Sequence, residues 1–167
     1  MTRPGMAFTA IAGRYFDLPI VNLGFCGSAK MEPPMVDLIS EVDASIYIID
    51  SLWNMNEDLI KKRYEAFIRA LHKRHPDIPI LIAEDCTVFG KLPTPKGKLI
   101  KKIFEKLKRQ DPISWKNLYY LSAKEMLPDD GEGSVDGCHL NDWGAMHQGK
   151  AYGKRIKDIL KAEGILH

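Results

Sequence analysis

Hydrophobic positions along the chain fall into alternating helix-like and strand-like runs. Phe8, Ile11 and Tyr15/Phe16 recur at helical spacing and Pro4 suits a first turn, so the pattern predicts a short helix over residues 6–16. Residues 19–25 (Pro-Ile-Val-Asn-Leu-Gly-Phe) read as a strand running into a glycine-containing turn. The pair Pro33-Pro34 starts a second short helix that reaches residue 39. Residues 45–50 (Ser-Ile-Tyr-Ile-Ile-Asp) are β-branched and apolar, as a strand buried on both faces should be.

Asn56 then caps a longer helix whose apolar stripe is Leu59, Ile60, Tyr64, Phe67, Ile68 and Leu71, ending before Pro76. Residues 78–83 form the next buried strand. Gly97 or Lys98 opens a helix with Ile100, Ile103, Phe104 and Leu107 facing inward, and residues 117–122 are the last strand. Asp142 caps a C-terminal helix to about residue 163, and Gly164 is placed as its stop.

Strands alternating with helices imply an α/β fold with a parallel sheet covered on both faces, because each crossover lays a helix on the sheet. The 167 residues suffice for one domain, 1–167, burying roughly 70% of its unfolded surface. A formal charge of +2 is too mild to argue for a nucleic-acid partner. No apolar run approaches the roughly 18 residues of a membrane span, and no signal-peptide pattern is visible. Cys26, Cys86 and Cys138 are odd in number and widely spaced, which suits free, buried thiols. No His/Cys cluster has zinc-ligand spacing, so neither a metal nor a cofactor is expected. The lysines between Lys91 and Arg109 are interleaved with a helical apolar stripe and read as a solvated face.

In open α/β sheets, functional groups collect in loops after the carboxyl ends of strands. Four segments therefore matter: residues 24–30, 51–56, 84–94 and 122–142. In the last, Val135-Asp136-Gly137-Cys138-His139 places a carboxylate three positions before a histidine. Such a carboxylate can accept from one imidazole N–H, fix the tautomer and leave the other nitrogen as a general base. In Asn22-Leu-Gly-Phe-Cys-Gly27-Ser, Gly27 sits where a glycine turn lets a backbone N–H approach a developing negative oxygen. In Asp50-Ser-Leu-Trp-Asn54, Asn54 can add a side-chain N–H donor, since Asn56 is available for the helix cap.

Together these segments resemble the SGNH hydrolases, the GDSL-type lipase/acylhydrolases, whose name lists Ser, Gly, Asn and His from four sequence blocks. Gly27 matches the glycine block, Asn54 the asparagine block, and Asp136-x-x-His139 the last block, which in that family carries both triad partners. Arg3-Pro-Gly-Met-Ala-Phe8, Asn22-Leu-Gly-Phe and Met31-Glu-Pro look closest to bacterial members similar to carbohydrate acetylesterases. The resemblance implies a three-layer, flavodoxin-like fold. It also implies Ser-His-Asp hydrolysis of a small-molecule or carbohydrate acyl ester, with Gly27 and Asn54 as oxyanion donors.

One block is missing. The family's nucleophile lies in a Gly-Asp/Thr-Ser motif at the end of a central first strand, and neither precedes the 6–16 helix here. Ser28 and Cys26 share the loop of Gly27 and are the nearest candidates for a substitute nucleophile, but that loop is expected to hold the oxyanion donor rather than the nucleophile; Cys138 lies between the two triad partners. The expectation is an N-terminally incomplete domain, with the serine upstream, a gap beside residues 19–25 and no activity in the chain as given. Any signal peptide would be missing too, which leaves secretion or the periplasm open. The competing reading is a non-catalytic remnant or ligand-binding domain of the same fold. A nucleotide-binding domain is disfavoured, because no glycine-rich phosphate loop is present.

Overall fold

An apolar run with no polar side to turn toward water belongs in a sheet covered on both faces. In the computed structural model, which describes residues 3–86 and 91–166, the run after Ser45 becomes β1 (Tyr47–Ile49). It pairs in parallel with β2 (Ile80–Ala83), with Tyr47 opposite Ile80, Ile48 opposite Leu81 and Ile49 opposite Ile82. β3 (Leu118–Leu121) completes the order β1-β2-β3. The middle strand, β2, is buried at every residue, which is why its side chains need not alternate in polarity.

The helices, in chain order, are α1 (Phe8–Phe16), α2 (Pro34–Ser40), α3 (Glu57–Leu59), α4 (Glu65–Arg74), α5 (Pro95–Gln110), α6 (Ala123–Met126) and α7 (Asp142–Ala162). A π-helical stretch, Ile60–Tyr64, joins α3 to α4 without a break. The side chain of Asn56 caps this composite helix by accepting from Leu59 N–H, as its position predicts. The helix after β2 starts at Pro95, two residues before the earlier of the predicted openings, because proline is well suited to the first helical position. The α7 cap is Asn141 rather than Asp142: the Asn141 side chain accepts from Gly144 N–H, and Asp142 instead pairs with Arg3 at 3.6 Å. Gly164 follows that helix at φ 69°, a left-handed position that suits glycine at a helix stop.

Contacts divide the chain into two compact units. The first comprises Met1–Leu23, Cys86–Thr94 and Leu121–His167, and the second Gly24–Asp85 and Pro95–Tyr120. In the first, α1 packs on α7: Phe8 stacks on Tyr152 with ring centroids 5.0 Å apart, and Ile11 is fully buried. In the second, Ile60, Tyr64, Ile68 and Leu71 cover the sheet residues Ile80 and Ile82 from one helix, with Ile100 and Leu107 from α5.

Residues 19–25 do not form the predicted strand. Among the described residues no ladder reaches residues 18–24, and Val21, Leu23 and Phe25 are exposed. A strand needs a partner for its N–H and C=O groups, and an alternating apolar pattern alone supplies none. The chain turns away instead at Phe25–Gly27, where Phe25, Cys26 and Gly27 all have positive φ. All three cysteines are free, but only Cys86 is buried; Cys26 and Cys138 are exposed. No helix among the described residues is long and apolar enough to cross a membrane. Of the segment 84–94, residues 87–90 lie outside the described residues.

Candidate active site

The loop before α7, in the first unit, is shaped by its own polar groups. Ser134 and Leu140 form an isolated antiparallel bridge. Asn141 adds a backbone bond to Gly133 O (3.0 Å) and a side-chain bond to Glu132 O (2.6 Å). Gly137 takes φ 79°, which lets the chain reverse between Asp136 and His139. The ends of the loop are thus tied at the helix cap, and Asp136 and His139 stand at its tip.

Asp136 uses its two oxygens differently. Oδ1 accepts the backbone N–H of Cys138 (2.8 Å) and of His139 (2.7 Å), while Oδ2 lies 2.7 Å from His139 Nδ1. The bond from His139 first, then the two backbone N–H groups, hold the Asp136 carboxyl well below the usual carboxylate range. A carboxylate accepting at Nδ1 places the proton of neutral imidazole there, so Nε2 carries the lone pair. Nε2 makes no hydrogen bond to a described residue, and the His139 side chain is 79% exposed. The arrangement can therefore take a proton at Nε2 while Asp136 stabilises the imidazolium that forms.

Ser134 is the residue that sequence reasoning missed. Its buried hydroxyl lies 2.6 Å from His139 O and 3.1 Å from Asp136 Oδ1, and it accepts from the N–H of Gly137 at 3.0 Å. It ties both ends of the Asp136–His139 turn to one atom. The readable signal was a serine two positions before an Asp-Gly pair, a combination typical of side-chain-stabilised turns.

Gly27 and Asn54 belong to the second unit and come together there. Asn54 closes the short turn Leu52–Asn54, its N–H bonded to Ser51 O at 3.1 Å. A Cβ built on Gly27 would lie 3.8 Å from Asn54 Oδ1, an ordinary contact, so the φ of 85° is what favours glycine at this position. The Asn54 carboxamide makes no hydrogen bond to a described residue, which leaves its N–H groups available. Ser28 and Cys26 are exposed neighbours of Gly27, and neither is bonded to a histidine. Among the described residues no group of three or more His, Cys, Asp or Glu side chains is arranged to hold a metal ion.

Residues 1–157 match the GDSL-like lipase/acylhydrolase family. No curated protein matches the sequence. A protein from Bacteroides ovatus whose crystal structure is described as that of a GDSL-like lipase superposes with a TM-score of 0.76 at 32% identity, over 95% of this chain and 49% of that one. The salicylyl-acyltransferase SsfX3 from a tetracycline biosynthetic pathway shares the fold, with a TM-score of 0.67 at 17% identity, over 99% of this chain and 51% of that one. The chain thus spans about half the length of these two solved structures.

Proposed function

This chain belongs to the GDSL-like lipase/acylhydrolase family, and on that premise we propose that it supplies the acid–base pair and the oxyanion donors of a serine ester hydrolase. The observation that carries the reading is the 2.7 Å contact between His139 Nδ1 and Asp136 Oδ2, with Nε2 left open. In the reaction a serine hydroxyl attacks the acyl carbonyl and His139 Nε2 takes its proton. The negative charge that develops on the carbonyl oxygen is accepted by the Gly27 N–H and the Asn54 carboxamide. Collapse of the tetrahedral intermediate breaks the ester C–O bond, and His139 returns the proton to the departing alcohol. Water then repeats the sequence on the acyl-enzyme and frees the acid. The roles of Gly27 and Asn54 are supported by their match to the family's glycine and asparagine blocks. The substrate class that fits is a short-chain acyl ester of a small molecule or carbohydrate.

A specific observation favours a second reading, a ligand-binding domain without turnover: no described serine or cysteine is bonded to His139 Nε2. Hydrolysis of a short-chain aryl acetate separates the two, measured on the protein supplied with a family Gly-Asp/Thr-Ser strand ahead of residue 1 and on its His139→Ala variant. The hydrolase reading predicts turnover that His139→Ala lowers by about 10²-fold or more. Equal rates for both proteins assign the chain to the ligand-binding reading.

A further inference from the structure

Asn54 is proposed above as an oxyanion donor, yet no described residue bonds its side chain, so its direction is set by the turn that carries it. What fixes that turn comes from the lysine run, where Lys96 departs from the solvated pattern. It is the second residue of α5, where the helix dipole disfavours a cation, and no acidic residue shares that first turn. Its side chain is nonetheless only 24% exposed. Nζ lies 3.2 Å from Asp85 Oδ2, whose side chain is 5% exposed, and donates to Leu52 O at 2.6 Å. The same Leu52 oxygen accepts Met55 N–H at 3.2 Å, the bond that closes the turn. Nζ also stands 5.9 Å from the centroid of the Trp53 ring, within cation–π range.

Lys96 therefore touches both residues that precede Asn54 in the turn, Leu52 through its carbonyl and Trp53 through its ring. We propose that Lys96 is a positioning residue that holds Asn54 by tying the Leu52–Asn54 turn to the buried Asp85 carboxylate. The proposal rests on the reading of Asn54 as an oxyanion donor. A charge-assisted bond to a carbonyl beside a buried carboxylate is among the stronger single tethers a side chain can make. A lysine placed against the helix dipole has no gain from the helix itself, so its use lies in that tether.

Amide hydrogen exchange of the whole chain tests the tether directly. In Lys96→Met the Asn54 and Met55 amides should exchange about tenfold faster or more, while Lys96→Arg should stay within about twofold of the wild type. Removing Lys96 alone takes a cation from beside the buried Asp85 carboxylate, so the Asp85→Asn/Lys96→Met double variant is measured alongside. It should show the same local acceleration with the β2 amides unchanged. Turn amides at wild-type rates, or β2 amides accelerated by the same factor in the double variant, would overturn the proposal. A kinetic arm, run on the protein supplied with the family's serine strand, judges the donor reading separately: Asn54→Ala should lower kcat for a short-chain acyl ester with KM little changed. Adding Lys96→Met to Asn54→Ala should then lower it no further. The expected exchange result with Asn54→Ala hydrolysing like the wild type would refute Asn54 as donor and leave the tether standing.

Discussion

The Ser134 hydroxyl stands 2.6 Å from the carbonyl oxygen of His139, so the backbone of that histidine is held by a buried side chain five residues earlier. That hydroxyl also receives the Gly137 N–H. Ser134→Ala removes the hydroxyl that meets the His139 carbonyl and the Gly137 N–H, which costs about 0.5–1.5 kcal/mol per hydrogen bond. Urea denaturation should show that loss, and the Gly137 amide should lose protection from exchange more than amides within α7 do.

Two glycines of α7 face α1 so closely that any side chain collides. A Cβ on Gly149 would lie 2.6 Å from Ile11 Cβ and 2.8 Å from Phe8 O; one on Gly153 would lie 2.1 Å from Phe16 Cδ2. Alanine in a helix interior gains about 1 kcal/mol over glycine, whereas forcing extra volume into a packed contact costs about 1–3 kcal/mol. The clash wins at Gly149, because the obstacle includes backbone that cannot rotate away. At Gly153 the obstacle is a ring that can. Thermal denaturation should rank Gly149→Ala as the less stable variant, with Gly153→Ala nearer the wild type.

Much of this arrangement could be read from local sequence, and the remainder had a physical reason to be hidden. The Asn56 cap, the buried β2 and the Gly164 stop depend on short-range chemistry. The Asp136–His139 contact spans only three residues of one loop. By contrast, residues 19–25 carry a strand-like apolar pattern, but whether such a run pairs depends on a partner distant in sequence. Lys96 looked like its solvated neighbours, because its partners Leu52 and Asp85 are 44 and 11 residues away. Asn54 and Gly27 could be matched to family blocks, while their shared turn-and-loop contact is tertiary.

Stability should fall with acid in two stages that belong to different residues. His72 packs on Trp115 at 4.3 Å, with Nε2 3.2 Å from Ser114 Oγ and Nδ1 buried without a hydrogen-bond partner among the described residues. Burial pushes its imidazole below the ordinary 6.5, against the opposing pull of Asp77 and Asp111. With a folded pKa lower than the unfolded one, the unfolded chain binds more protons, so stability is full above that ordinary value and declines as pH falls through it. Asp136 acts lower: its depressed pKa contributes stability above the ordinary carboxylate value of 3.8, and this is lost as pH falls below it. Denaturation midpoints across pH should show both stages, with His72→Phe flattening the first and Asp136→Asn the second.

The pairing of Asp136 with His139 has one direct readout, the nitrogen chemical shifts of the His139 ring measured by NMR at a pH where the ring is neutral. Asp136 accepting at Nδ1 predicts the Nδ1–H tautomer, with Nε2 unprotonated and ready to act as a base. Asp136→Asn should move the population toward the Nε2–H form. A wild-type ring already in the Nε2–H form, or one indifferent to Asp136→Asn, would contradict the assignment of these two residues as an acid–base pair.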